Sequence, residues 1–205
     1  MPSLRLLSVN ARSVDGGTDG LVELISGQDA DLVAVHAAPH LIRWRQAVGA
    51  IARRSGLVVV GGGGRRAGAA LLLSSLGVDA GRTREVRFTG AGGLHPAGAA
   101  IAELSWRGHP FVLAASTLVG NSAVRLGQAR ELQAAIESLT PAGLPSVISA
   151  EGIDRPGTAA WQALVDNRVA VAQRLFVDGR FDVLDARTLD GHPFTAPAVA
   201  ELSLA

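Results

Sequence analysis

Apolar residues along this chain fall into short uninterrupted runs separated by glycine-rich turns, and only a few stretches space them as a helix would. "LRLLSV" (4–9) and "DLVAV" (31–35) have strand length, and between them "GLVELIS" puts Leu21, Leu24 and Ile25 on one helical face. The chain therefore opens strand, helix, strand. From Pro39 to Gly56, Leu41, Trp44, Val48 and Ile51 recur at steps of three and four, which predicts an amphipathic helix with Arg43, Arg45, Arg53 and Arg54 on its solvated face. The next runs are "LVVVG" (57–61), "GAALLLSS" (68–75), "TREVRFT" (83–89), "AGAAIAELSW" (97–106) and "PFVLAAS" (110–116). Their short links imply antiparallel pairing.

The second half repeats the alternation. Asn121 is placed to cap a long helix whose buried stripe is Val124, Ala129, Leu132, Ile136 and Leu139, ended by Pro141 and Gly143. "PSVIS" follows as a strand, then a short helix over 158–165 burying Trp161 and Leu164, then "RLFV", "FDVLD" and "PAVAELSL" as closing strands. About ten strands exceed what one open doubly wound sheet usually carries. The pattern predicts an α/β fold of two stacked sheets with helices outside, and residues 1–205 as a single domain.

Composition changes this picture little. With 48% hydrophobic and 18% charged residues the chain can bury a sizeable core. The N-terminal segment has arginines breaking its apolar residues, and no stretch reaches the roughly 20 apolar residues of a membrane span. The expectation is a cytoplasmic protein without a membrane span. Every basic residue is arginine and tyrosine is absent, a bias suggesting a GC-rich bacterial genome. Residues 1–110 hold 12 arginines against 8 acidic residues and residues 111–205 hold 7 against 10, so no concentrated basic face favours nucleic acid as a partner. Scarce aromatics also leave little to stack on bases.

Local motifs exclude several chemistries. "VVVGGGGRRAGAALLLSS" lacks the Lys-Ser/Thr ending of a phosphate loop and runs into a strand, which predicts a hairpin instead. His95 in "GAGGLHPAG" and His109 in "RGHPF" read as loop and turn residues. No H-E-x-x-H and no G-x-S-x-G occurs, and "SVISAEG" places its serine inside an apolar strand.

Taken in order, nearly the whole chain resembles the endonuclease/exonuclease/phosphatase superfamily. "LRLLSVNARSV" resembles the family's first strand ending in Trp-Asn, "DADLVAVHAAP" its Leu-Gln-Glu strand, and "GAALLLSS" its Gly-x-Ala-Ile-Leu-Ser strand. "HPFVLAASTLVGN" with "RLGQARELQAAI" resembles the Thr-His-Leu strand and following helix, "PSVISAEGIDRPGTAAWQAL" the Gly-Asp-Phe-Asn strand and helix, and "PAVAELSL" the last strand after Ser-Asp-His. The resemblance implies a DNase I-like four-layer sandwich, two mostly antiparallel sheets flanked by helices, built for Mg²⁺-dependent phosphoester hydrolysis.

Position by position, the same resemblance implies that the chemistry is altered. Asn10 matches the family's Asn, but the metal-binding Glu falls on His36 and the His of Thr-His-Leu falls on Thr117. The Asp-Asn pair falls on Gly152 and Asp154 or, shifted by one, on Glu151 and Ile153. Ser-Asp-His falls on Pro193, Phe194 and Thr195, with His192 the nearest substitute. Mg²⁺ wants oxygen ligands including carboxylates, whereas an imidazole nitrogen at 36 suits Zn²⁺ or Mn²⁺ better, and Thr117 has no proton to exchange near neutral pH.

Two readings follow. In the first the site is degenerate, a pseudoenzyme needing no metal cofactor and binding a protein or a phosphorylated small molecule, with Asn10 and Thr117 as binding residues. In the second, His36, Glu151 or Asp154, and His192 form a rewired catalytic set that uses Mg²⁺ or Mn²⁺. Each residue also has a plain structural reading: Asn10 in a strand-end loop, His36 as a satisfied edge histidine, Glu151 and Asp154 in a solvated turn.

Overall fold

Strand-length apolar runs alternate with helices as the pattern predicts, giving β1 (Leu4–Asn10), α1 (Gly17–Gly27), β2 (Leu32–His36), α2 (Trp44–Arg54), β3 (Val58–Gly62), β4 (Leu71–Ser74), β5 (Val78–Arg87) and β6 (Gly98–Trp106). The order continues with β7 (His109–Thr117), α3 (Ser122–Leu139), β8 (Ser146–Glu151), α4 (Ala159–Val165), β9 (Arg168–Val171), β10 (Leu175–Asp178), β11 (Phe181–Thr188) and β12 (Ala198–Leu204). This computed structural model describes residues 3–90, 96–140, 143–153, 155–172, 174–189 and 196–204.

The strands form two sheets of six, ordered β11-β12-β1-β2-β4-β3 and β5-β6-β7-β8-β10-β9. Each contains one parallel pair, β1 with β2 and β7 with β8, among antiparallel neighbours. A parallel pair needs a long crossover, which α1 and α3 supply. Both sheets follow one plan: a two-strand hairpin, the first member of the parallel pair, its partner, then a second hairpin.

Alternation along each strand sorts side chains into layers. Leu4, Leu6, Leu32 and Leu72 of the first sheet face Leu104, Phe111, Leu113 and Leu175 of the second. On the outer face of the first sheet Leu7, Val9, Val33 and Val35 pack against Leu21, Ile25, Val48 and Ile51 from α1 and α2. Ile101, Val112, Ile148 and Phe176 do the same with Leu132, Ile136, Trp161 and Leu164 from α3 and α4. Each such side chain contributes about 1.5–3 kcal/mol of burial. Asn121 caps α3 as expected, its side chain accepting from the Val124 amide at 3.1 Å. No helix among the described residues is long and apolar enough to cross a membrane.

Three details depart from the sequence pattern. The described strands number twelve, because "RVAV" adds β9, too short to stand out as a run. β5 starts at Val78, earlier than its apolar residues suggest, since this edge strand exposes almost every side chain and needs no alternation. Leu41 lies outside α2 and is 64% exposed, because Arg43 takes a left-handed backbone (φ 57°) and the helix begins only at Trp44. The glycine run does join strand to strand. A Cβ on Gly62 (φ +86°) would sit 2.1 Å from the Ala70 carbonyl, and Gly63 and Gly64 lie against the Trp44 ring, so close packing explains the run.

Candidate functional site

The two parallel pairs bring four of the sequence-predicted residues to one end of the sandwich. Asn10 and His36 are in register at the ends of β1 and β2, and Thr117 and Glu151 at the ends of β7 and β8. Polar side chains join the sheets there: Ser8 Oγ lies 2.8 Å from Ser149 Oγ, and His36 Nε2 lies 2.7 Å from the same Ser149 oxygen. His36 is not an edge histidine as the sequence suggests: β2 is an interior strand, and the side chain is fully buried.

Burial sets the character of His36. Its pKa is lowered from 6.5 to about 3, chiefly by desolvation and then by the positive charge of Arg174, against the opposing pull of the Ser116 main chain. The ring is therefore neutral throughout the physiological range. Its Nδ1 has no well-formed hydrogen bond among the described residues.

Glu151 is held differently. Its Oε2 lies 2.6 Å from Nη1 of Arg174, whose side chain is only 5% exposed. Arg174 stands immediately before β10, and its carbonyl accepts from the Ala150 amide at 2.9 Å, so the backbone fixes the guanidinium beside the strand end. The chain then turns at Gly152 (φ +74°), where a Cβ would meet the Leu118 carbonyl at 2.1 Å. Ile153 packs against the α3–α4 face of the second sheet. Asn10 uses its Oδ1 to accept from the Arg12 amide at 2.9 Å, capping a 3-10 turn. The Thr117 hydroxyl is buried without a partner among the described residues. Asp154, His192, Pro193, Phe194, Thr195 and His95 lie outside the described residues.

The family resemblance of the sequence implies a divalent cation at these strand ends. The described residues do not fit a magnesium ion, which needs several oxygen donors with net negative charge. Among them no three His, Asp or Glu side chains converge. The carboxylate present, Glu151, already faces a guanidinium, and Nε2 of the buried His36 is turned to Ser149. The arrangement can orient hydrogen bonds and hold an internal charge pair.

Sequence reading missed Arg174, Ser8 and Ser149. A single arginine leading into "LFV" reads as a solvated strand start, and a serine on an apolar strand reads as core. Only the stacking of the two sheets brings Ser149 to His36, which is 113 residues away. A groove of about 1000 Å³ lies elsewhere, between α3, α4 and the start of β8, and includes Arg130, Arg168 and Arg180. Burial lowers the Arg168 pKa, and its guanidinium donates to Ser146 Oγ, Gln133 Oε1 and the Leu164 and Asp166 carbonyls. This groove's central cation is already satisfied from within.

Two six-stranded sheets, face to face and flanked by two helices on each outer side, define a DNase I-like α/β sandwich. Solved structures bear this out. An endonuclease/exonuclease/phosphatase family protein from Bacteroides thetaiotaomicron matches at 14% identity over 98% of both chains, with a TM-score of 0.79. The mannosyl-6-phosphatase of the same species matches at 14% identity over 98% of this chain and 100% of that one, TM-score 0.78. The D. rerio TDP2 structure with a single-stranded DNA product matches at 12% identity over 99% and 100%, TM-score 0.70. No protein-family model and no curated protein sequence matches the chain. At such identities the likeness is one of fold.

Proposed function

We propose that the strand-end site no longer performs metal-dependent phosphoester hydrolysis, and that the protein is a non-catalytic binding or scaffolding domain on the DNase I-like framework. The observation that carries this reading is the Glu151–Arg174 pair at 2.6 Å: an internal cation neutralises the carboxylate that would face a metal ion. The neutral, fully buried His36 supports it, being neither an anionic ligand nor open to solvent as a base. The 2.7 Å contact of His36 with Ser149 has the spacing of a nucleophile and its base, yet both residues are 0% exposed and no substrate reaches them. The partner in this reading is a protein or a phosphorylated small molecule.

Melting curves with Mg²⁺, Mn²⁺ or Zn²⁺ added singly, together with assays on a generic phosphodiester and plasmid DNA, test the proposal. The expected outcome is no metal-specific stabilisation and no turnover. Metal-dependent turnover lost in both His36→Ala and Asp154→Ala would reject it in favour of the rewired hydrolase that also uses Glu151 and His192.

A further inference from the structure

A separate feature lies on the loop between β2 and α2. From Leu32 to Val78 the chain carries six arginines and no acidic residue. Within that stretch the loop ends in two aliphatic side chains turned to solvent, Leu41 at 64% and Ile42 at 93% exposure. This isoleucine has the highest exposure among the exposed large hydrophobics and stands beside an exposed leucine, and the loop is held beneath them. Ala38 donates its amide to the Ala69 carbonyl at 2.9 Å, the His40 ring donates to the Ala38 carbonyl at 3.0 Å, and Trp44 is seated against Gly63 and Gly64. The tip is thus presented by a braced support.

Arginines lie on the elements next to it. Arg43 and Arg45 flank Trp44, with the Arg45 guanidinium 4.5 Å from the ring centroid. Arg65 and Arg66, both exposed, follow directly on the Gly63–Gly64 seat of Trp44. Arg12 lines a groove of about 360 Å³ with Leu41 and Ile42, and that groove reaches Leu21 and Ile51 between α1 and α2.

From this combination we infer that the β2–α2 loop docks the protein on an anionic lipid bilayer surface, with Leu41 and Ile42 entering the acyl boundary and the arginines meeting headgroup phosphates. Projecting aliphatic side chains suit a deformable apolar medium better than a folded partner, which would need a matching cavity. Arginine stems lie along such an interface while their guanidinium ends stay with the phosphates. A nucleic acid would supply the negative charge but nothing apolar for the tip to enter. The inference does not depend on whether the strand ends catalyse.

Co-sedimentation of the full chain tests it, using vesicles of phosphatidylcholine alone or with about a third phosphatidylglycerol. Recovery on the anionic vesicles is expected to exceed that on neutral ones by about tenfold or more, and to drop when salt rises from ~0.1 M to ~0.5 M. Leu41→Ser/Ile42→Ser and, separately, Arg65→Gln/Arg66→Gln should each cut recovery by about tenfold. Unchanged melting temperatures would show that both variants fold. Equal recovery on both vesicle types, or recovery indifferent to the tip substitutions, overturns the inference. Binding to poly-glutamate without vesicle binding also overturns it, in favour of an acidic protein partner.

Discussion

The two sheets share one plan, yet their parallel pairs end in opposite kinds of chemistry. In the first, β1 and β2 finish in Asn10 and His36, both uncharged, the first capping a local turn and the second fully buried, and the residue leading into the neighbouring β4 is Ala70. In the second, β7 and β8 finish in Thr117 and Glu151, and the residue leading into the neighbouring β10 is Arg174, which brings a permanent positive charge. One half has dealt with its strand-end polarity by removing charge, the other by pairing it. The two solutions should fail under different challenges.

Acid should separate them most sharply. His36 stays neutral in the folded state down to about pH 3 but takes up a proton near pH 6.5 when unfolded. Its contribution is therefore complete above pH 6.5 and is lost as pH falls toward 3, with a slope approaching about 1.4 kcal/mol per pH unit and a total on the order of 5 kcal/mol. Urea unfolding at a series of pH values should show this loss, and His36→Leu should flatten the curve. An unchanged slope in the variant would mean that the acid sensitivity originates elsewhere.

Removing the cation of the second half should come next. Arg174→Met leaves Glu151 facing an apolar neighbour and is expected to cost about 3 kcal/mol at neutral pH, whereas Arg174→Met/Glu151→Gln should recover most of it. A double variant no better than the single one would show that Arg174 matters for contacts other than Glu151. The smallest effect belongs to the contact between halves. Ser149→Ala deprives Ser8 and His36 of their shared partner and should cost about 1–2 kcal/mol by denaturant unfolding.

How much of this could be read without coordinates follows from the physics of each part. Strand period and helix spacing are local, so the layers, the Asn121 cap and the buried Trp161 and Leu164 were legible. Strand ends are also local, which is why Asn10, His36, Thr117 and Glu151 were singled out and why they gather at one end of the sandwich. What a strand-end residue touches is not local. The pairing of Glu151 with Arg174 spans 23 residues, and the helical phase of Leu41 was broken by a backbone angle at Arg43 that no periodicity records.

The Ser8–Ser149 hydrogen bond has one more consequence. Aliphatic layers packed face to face tolerate small sliding displacements at little cost, because dispersion has no strong direction. Two hydroxyls at 2.8 Å do not. That contact works as an alignment pin, fixing the offset at which one sheet meets the other and thereby the shape of every surface the two halves build together.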